Sequence, residues 1–292
     1  MVDNSPGHGM GLRRIAGLAG GGIALVMLLG GCTVDDAFHF GWPKGGITPQ
    51  SQRMYDLWIG SVVAAFVVGI LVWGLIFWCI VRYRKKGDAL PPQTRYNAPM
   101  EVLYSVLPFL IVAVLFYYTA IAQTYVNKID PNPAVTVEVV AFKWNWQFRY
   151  LGQNGPDGQP VDTIGSTDYV PVLVVPVGKT IEFKQVSKDV IHSFWVPELL
   201  FKRDQIPGVT NKFQVKVEKT GAFVGRCAEL CGTYHSMMNF ELRAVTPENY
   251  EKFLAAKKAG KSTPEALEAA GEAPIAVTTD PFKTKRDART TS

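Results

Sequence analysis

Two thiols, an imidazole and a thioether lie within twelve residues of this 292-residue chain. They belong to Cys227, Cys231, His235 and Met238, and His192 is the only other histidine in the second half of the chain. Thiolate, imidazole and thioether ligands suit copper and other soft metals, whereas hard cations prefer oxygen. Five such donors are too many for one tetrahedral ion. Two thiolates that bridge two copper ions would use all of them, and such a fixed cage suits one-electron transfer.

Three other interpretations use part of the same set. A Cys-x-x-x-Cys spacing also occurs in disulfides and thiol redox pairs of exported proteins. Two cysteines with two histidines form a common tetrahedral zinc site. A blue-copper site needs one cysteine, two histidines and an axial methionine, which leaves the second cysteine without a role. The whole pattern, Cys-x-Glu-x-Cys-Gly-x-x-His-x-x-Met, is more specific than any of these parts.

Composition excludes several classes of protein. Hydrophobic residues make up 48% of the chain and charged residues 19%, which is too apolar for a disordered chain. The net charge of +5 is spread along the sequence, so no basic cluster indicates nucleic-acid binding. Four cysteines are too few for a disulfide-based scaffold. The composition therefore indicates a membrane protein with a soluble half.

Two long apolar segments predict how the site is anchored. Residues 57–81 and 102–127 contain no charged side chain, and each is longer than the roughly 20 residues that cross a bilayer. We expect a two-helix transmembrane hairpin over residues 55–127. Its loop, 82–100, begins with Arg-Tyr-Arg-Lys-Lys, which the positive-inside rule assigns to the cytoplasm. Both ends of the hairpin then face outward.

The N-terminus has the pattern of a lipoprotein signal. Arg13 and Arg14 precede an uncharged apolar stretch that ends in Leu-Gly-Gly-Cys at Cys32. A basic flank, an apolar region and small residues before a cleavage point are typical of a secretory signal. The end of this stretch resembles the bacterial lipobox. We therefore expect residues 1–31 to be a signal peptide and residues 32–54 to be exported, so that both termini lie outside the plasma membrane.

The exported half, residues 128–245, has the pattern of a β-domain. Short segments with strand character separated by Gly/Pro turns lie at residues 135–140, 144–148, 172–175, 179–185, 212–217 and 240–245. Short strands without a helical period predict an antiparallel sandwich or barrel. Thr-Pro-Glu and Ser-Thr-Pro-Glu then begin two short helices, and residues 246–292 are expected to hold these helices and a disordered polar tail.

With this hairpin, β-domain and Cys/His/Met motif, the chain resembles subunit II of the haem-copper cytochrome c oxidases over residues 55–245. The resemblance implies a transmembrane hairpin followed by a cupredoxin-like Greek-key β-barrel with a binuclear CuA centre. It implies bridging by Cys227 and Cys231. The other ligands it implies are His192 and His235 as terminal ligands, Met238 as a weak axial ligand and the backbone carbonyl of Glu229. The Glu229 side chain is implied to reach a magnesium or manganese site shared with subunit I.

Two further residues take roles from the same resemblance. Trp144, in Lys-Trp-Asn-Trp, matches the tryptophan at which the electron enters. Glu101 matches the carboxylate at the mouth of a proton channel into subunit I, although an acid there also stabilises a helix N-terminus. Lys202, Asp204 and Pro207 belong to a Lys-x-Asp-x-x-Pro-Gly turn that resembles the one near the subunit I contact.

The charge of the exported domain bears on its electron donor. Residues 128–245 hold 13 basic and 12 acidic side chains, a net charge of +1. Steering of a soluble basic cytochrome c depends on an acidic face. Arg149 stands where many relatives carry an acid, and Val209 stands where arginine is common. We therefore expect a donor that is a membrane-tethered cytochrome c, or a bc complex in a supercomplex, as in actinobacterial versions of the family.

The sequence thus predicts the electron-input subunit of a proton-pumping terminal oxidase. CuA would accept electrons from cytochrome c and pass them to haem in subunit I, where O₂ is reduced to water. A quinol oxidase subunit II shares the architecture but lacks the copper ligands. An exported copper-delivery protein uses Cys-x-x-x-Cys but normally has one membrane anchor. Nitrous oxide reductase has a similar motif on a soluble enzyme with an additional histidine-rich domain.

Overall fold

The computed structural model describes residues 46–281. The predicted signal peptide, Cys32 and residues 282–292 of the predicted tail lie outside the described residues. The helices are α1 (Pro49–Arg82), α2 (Ala98–Val126), α3 (Pro247–Lys258) and α4 (Thr263–Ala269), with short 3₁₀ turns at Pro197–Leu199 and His235–Met237. The strands are β1 (Val135–Phe142), β2 (Asn145–Asn154), β3 (Pro160–Ile164), β4 (Val172–Pro176), β5 (Thr180–Ser187), β6 (His192–Val196), β7 (Phe201–Gln205), β8 (Asn211–Lys216), β9 (Gly221–Cys227) and β10 (Asn239–Val245).

The first helix of the hairpin begins with a complete capping box. The Thr48 hydroxyl accepts a hydrogen bond from the Ser51 N–H (2.9 Å), and the Ser51 hydroxyl accepts one from the Thr48 N–H (3.0 Å). Pro49 follows the cap at the first helical position, where a missing N–H costs nothing. These signals start α1 six residues before Tyr55, so the structure extends the helix into the segment that the sequence analysis assigned to the exported N-terminus.

Asn97 is the N-cap of the second helix, and its side chain accepts from the Met100 N–H (3.3 Å). The exposed Glu101 carboxylate accepts from the Asn97 N–H (3.1 Å), so it occupies the favourable position for an acid in the first turn. Pro108 lies inside this helix. Within residues 46–281, α1 and α2 are the two helices that are long and apolar enough to cross a membrane. Their apolar side chains are largely exposed in the isolated chain.

The β-domain consists of two five-stranded sheets packed face to face. The strand order is β3-β2-β1-β5-β8 in one sheet and β4-β10-β9-β6-β7 in the other. The expectation of purely antiparallel pairing was wrong, because β1 pairs with β5 and β10 with β4 in parallel. The alternation of side chains is the same in both kinds of pair, so local pattern cannot distinguish them. Four strands, β3, β6, β7 and β9, were not predicted. Of these, β7 is mostly polar and β9 contains two glycines.

Aromatic side chains fill the space between the sheets. Trp146, Phe148 and Tyr150 alternate along β2 and are completely buried. From the opposite sheet, Phe240 packs against Trp146 with ring centroids 5.1 Å apart and stacks on Phe194 at 4.8 Å. Burying each such side chain contributes about 1.5–3 kcal/mol relative to exposure. This rigid core lies directly behind the strand ends that carry the soft donors.

Several hydrogen bonds tie the hairpin to the β-domain. The Ile47 N–H donates to the Glu198 carbonyl (3.3 Å), and the Glu218 N–H donates to the Ile47 carbonyl (2.8 Å). After α2, the Arg203 guanidinium donates to the Asn127 side-chain oxygen (2.9 Å). These hydrogen bonds connect both ends of the hairpin to the β-domain, so the connection is not a free linker.

A buried ion pair holds the C-terminal segment against the second sheet. Glu241 and Arg243, both on β10, have side chains 0% and 4% exposed. One Glu241 oxygen accepts from Arg243, and the other accepts from the backbone N–H groups of Val277 (2.6 Å) and Thr278 (2.9 Å). The guanidinium also donates to the Ile275 carbonyl (3.1 Å). The pair therefore has its hydrogen-bonding groups satisfied by the segment that follows α4.

Candidate metal centre

Strand pairing brings together residues that are 35 positions apart in sequence. β6 begins at His192 and β9 ends at Cys227, and the two strands are antiparallel neighbours with Phe194 opposite Cys227. The Ala228 N–H continues this ladder by donating to the Ser193 carbonyl (3.0 Å). His192 Nδ1 consequently lies 3.8 Å from Cys227 Sγ, and both side chains are buried.

The loop after β9 turns back on itself and supplies the remaining donors. His235 stands in a 3₁₀ turn, and Met238 directly precedes β10. The Cys227 N–H donates to the Met238 carbonyl (3.1 Å), which closes the loop at its base. His235 Nδ1 lies 3.6 Å from Cys231 Sγ, and Met238 Sδ lies 3.9 Å from the same sulfur. All five soft donors are therefore at one end of the sandwich.

The two cysteine sulfurs are the centre of this arrangement. Their Sγ atoms are 3.8 Å apart, which is far longer than a disulfide bond of about 2.05 Å. Each sulfur faces a histidine nitrogen of its own, and the Glu229 carbonyl oxygen lies 3.3 Å from Cys227 Sγ. The ligand atoms of His192, Cys227 and Cys231 all lie within 4.8 Å of one another. Buried thiols and imidazoles that converge in this way have the chemistry of a soft-metal site.

The two thiols have opposite acidities without metal. Burial opposes ionisation of Cys227, but its contacts with His192 and with the backbone of Glu229 outweigh burial and lower its pKa to about 7. Burial and the neighbouring Cys227 sulfur raise the pKa of Cys231 to about 12. Two adjacent thiolates repel each other, so the second one requires a positive charge between them. A metal cation supplies such a charge, because cysteine binds metals as the thiolate.

A carboxylate lies behind the first histidine. Asp189 Oδ1 is 2.7 Å from His192 Nε2, on the side of the ring away from the sulfur. Burial disfavours the charged ring, but the contacts with Cys227 and Asp189 outweigh burial and raise the pKa of His192. Burial likewise disfavours ionised Asp189, but His192 and two backbone N–H groups outweigh it and lower the pKa of Asp189.

Two tryptophans donate hydrogen bonds to the backbone of the donor loop. Trp144, half-buried in the turn between β1 and β2, donates its indole N–H to the Cys231 carbonyl (3.1 Å). Trp146 donates to the Met238 carbonyl (3.2 Å). Tyr234 meets the Trp144 ring edge-on, with centroids 4.8 Å apart. Gly232 has φ +116°, and a Cβ there would lie 3.3 Å from the Trp144 ring, so glycine permits this close approach.

Comparison with known proteins identifies the family. The family model described as cytochrome C oxidase subunit II, periplasmic domain, matches residues 164–245. The probable cytochrome c oxidase subunit 2 of Nocardia farcinica is 45% identical over 94% of this chain and 89% of its own length. The chain belongs to the cytochrome c oxidase subunit 2 family. The Mycobacterium tuberculosis subunit 2 is 42% identical over 97% of this chain and 92% of its own. The periplasmic domain of subunit II from Bradyrhizobium japonicum is 30% identical, with a TM-score of 0.40, over 44% of this chain and 97% of that chain.

Membership of the subunit 2 family confirms the predicted fold class and oxidase function. The chain is part of an oxidoreductase, with an electron-input role, and it works with other oxidase subunits. The two apolar helices and the periplasmic-type domain fit a membrane protein with an extracellular domain. The Nocardia farcinica and Mycobacterium tuberculosis relatives are both actinobacterial.

The structure places the predicted site residues in two regions of this subunit 2. The soft donors, the Glu229 carbonyl and Trp144 lie together. Glu101 lies apart from them, at the opposite end of the hairpin from the β-domain. Asp189, Trp146 and Tyr234 were not predicted as site residues from the sequence. Asp189 stands three residues before His192, and a carboxylate close to a ligating histidine is a common outer partner that could have been sought.

Proposed function

We propose that this subunit 2 holds two copper ions between Cys227, Cys231, His192 and His235, with Met238 and the Glu229 carbonyl completing the set. The observation that carries the proposal is the pair of buried, unbonded sulfurs 3.8 Å apart, each facing its own imidazole nitrogen. The copper pair, when bound, supplies a reversible one-electron couple. The protein contributes a fixed cage, since the donors are anchored on strand ends and on a loop closed by backbone hydrogen bonds.

The first experiment counts the metal and records its electron paramagnetic resonance (EPR) spectrum. The full chain, purified in detergent and loaded with copper, is expected to hold two copper ions that share one unpaired electron. Coupling to two equivalent copper nuclei gives a seven-line hyperfine pattern. A single copper with a four-line pattern, or a preference for zinc over copper, would rule out the binuclear centre. In the second case, the zinc interpretation from the Cys₂His₂ set would explain the same geometry.

We further infer that electrons from cytochrome c enter at Trp144. Its indole is half-buried above the donor loop, and its N–H group bonds directly to the carbonyl of Cys231. The same side chain contacts Tyr234, so only these two aromatic rings separate a donor that docks here from the two cysteine sulfurs. The donor is proposed to be membrane-tethered or held in a supercomplex, because the exported domain has a net charge of only +1.

Trp144→Phe is expected to slow reduction by cytochrome c by about 10- to 100-fold, the usual effect of removing an outer partner of a metal ligand. Stopped-flow absorbance of the copper-loaded full chain measures this rate, and the copper content serves as the check on the site. Trp195→Phe, which alters a half-buried tryptophan on β6, is the matched control.

The salt dependence of the wild-type rate tests the tethered donor. A rate that is fast with soluble basic cytochrome c and falls steeply as salt rises would contradict it.

Two roles that depend on subunit I stay predictions. Glu101 is exposed at the start of α2, where a carboxylate could exchange protons with the cytoplasm. Glu229 is half-buried beside the sulfur pair, with its carbonyl turned toward Cys227, which leaves its side chain for a magnesium or manganese ion. Proton uptake by an assembled oxidase carrying Glu101→Gln, and manganese EPR of one carrying Glu229→Gln, are the deciding measurements.

A further inference from the structure

One carboxylate contacts both a proposed metal ligand, His192, and the turn that carries Trp144. Asp189 lies in the bend between β5 and β6, with its side chain 30% exposed. Its Oδ1 lies 2.7 Å from His192 Nε2 and also accepts from the Val190 N–H at 2.7 Å. Its Oδ2 accepts from the backbone N–H of Lys143, again at 2.7 Å. Both oxygens are therefore used, and they face different elements of the domain.

We propose that Asp189 is a positioning residue that fixes the metal-facing histidine and the electron-entry turn at the same time. The proposal rests on the proposed function for the identity of the metal, but the contacts themselves do not depend on it. Asp189 touches neither the sulfurs nor the donor surface of the Trp144 ring. It acts through His192 on one side and through the Lys143 backbone on the other.

The first consequence concerns the tautomer of His192. A carboxylate accepts hydrogen bonds only, so the ring nitrogen that faces Asp189 carries the proton. The other nitrogen, Nδ1, then presents its lone pair toward Cys227 Sγ, 3.8 Å away. A negatively charged partner also makes an imidazole a stronger electron donor to a metal. Asp189 should therefore favour the oxidised state of a bound metal and lower its reduction potential.

The second consequence concerns the Lys143–Trp144 turn. Asp189 holds the backbone at Lys143, and the next residue, Trp144, donates its indole N–H to the Cys231 carbonyl. The contacts from His192 through Asp189 and Trp144 to Cys231 therefore link both sides of the sulfur pair. Loss of the carboxylate frees one ligand ring and one anchor of the turn together. A residue that was merely part of the packing would not connect these two groups.

The test uses two substitutions and a matched control in the full chain. Asp189→Asn keeps the shape but offers one acceptor oxygen in place of two, so only one of the two links survives. Asp189→Ala removes both. The control is Asp157→Asn, since the exposed Asp157 accepts only a local hydrogen bond, from the Gln159 N–H in the β2–β3 turn. Thermal unfolding of each variant shows whether the domain remains folded.

The first measurement needs no metal. The chain contains four histidines, so selective ¹⁵N labelling of histidine in the metal-free chain gives few ring signals. The wild type and Asp157→Asn are expected to show His192 protonated at Nε2. Asp189→Ala should lose this single tautomer. If His192 keeps the Nε2–H form without Asp189, the proposal is overturned, whatever metal the site binds.

The second measurement uses the copper-loaded chain. Asp189→Ala is expected to raise the reduction potential and to weaken copper binding by about 10- to 100-fold, with Asp189→Asn between it and the wild type. Reduction by cytochrome c should slow in the same order. A wild-type potential and reduction rate in both folded variants would overturn the proposal. If the wild-type chain binds no copper, but Asp189→Ala still loses the Nε2–H tautomer of His192, the proposed function is wrong and the positioning role is supported.

Discussion

Cys231→Ala is expected to abolish the binuclear centre and electron input from cytochrome c. Cys231 is 3% exposed and lies between the other donors, with His235 Nδ1 3.6 Å, Met238 Sδ 3.9 Å and Cys227 Sγ 3.8 Å from its sulfur. Its removal leaves Cys227 as the only thiol of the site, and a centre bridged by two thiolates cannot form. Copper binding and oxidase turnover should fall by more than the roughly 10- to 100-fold typical of outer partners.

The measurements are copper per chain, the EPR spectrum and oxygen consumption by the assembled oxidase with reduced cytochrome c. Cys79→Ala is the matched control, because Cys79 is an exposed thiol near the C-terminal end of the apolar helix α1. It should leave all three readouts unchanged. The domain of Cys231→Ala should stay folded, since the substitution removes one small side chain at the edge of the core. Retention of two coppers with a seven-line spectrum would refute the assignment of Cys231 as a bridging ligand.

Arg243→Ala is expected to destabilise the β-domain by about 3–5 kcal/mol, the cost of leaving a buried charge without its partner. Glu241 is 0% exposed and would keep only the N–H and hydroxyl groups of the C-terminal segment as partners. The lost guanidinium also donates to Glu272 and to the carbonyls of Ala273 and Ile275, so residues 272–275 should lose their hydrogen bonds to β10. Chemical unfolding of the full chain in detergent, followed by tryptophan fluorescence, measures the change.

Lys252→Ala is the control for this experiment. Lys252 pairs with Glu248 on the surface of α3, with side chains 50% and 77% exposed. Exposed pairs of this kind contribute little to stability because water and salt screen them. A double substitution, Glu241→Gln with Arg243→Met, removes both charges and should recover part of the loss. Equal effects of Arg243→Ala and Lys252→Ala would show that the buried pair does not hold the C-terminal segment.

Local pattern was enough for the parts of the fold that depend on short stretches of sequence. The two uncharged segments predicted the membrane hairpin, because crossing a bilayer requires a continuous run of apolar residues. Six strands followed from short runs of β-branched and aromatic residues between turns. The start of α1 was missed because Arg53 and Asp56 precede the apolar run. The capping box at Thr48 and Ser51 starts the helix before the membrane-spanning part.

For the site, the sequence by itself determined the kind of chemistry. Two cysteines, a histidine and a methionine within twelve residues supply donor atoms that soft metals prefer, because the identity of the ligand atoms decides which metals suit them. The same spacing left zinc, blue copper and a disulfide open. Only the tertiary structure places the sulfurs 3.8 Å apart and unbonded, each with a histidine nitrogen. That placement depends on the pairing of β6 with β9, a contact between residues far apart in sequence.

Tertiary structure alone also decided what surrounds the ligands. Asp189 reaches Lys143 across 46 residues, and Trp144 reaches Cys231 across 87. The backbone carbonyls that accept from Arg243 lie some 30 residues further along the chain. Sequence patterns describe what a residue does to its near neighbours, through helix and strand periodicity. The groups around a site are fixed instead by how the sheets pack, so the sequence determined which soft donor atoms are present, and the packing determined where they meet and what surrounds them.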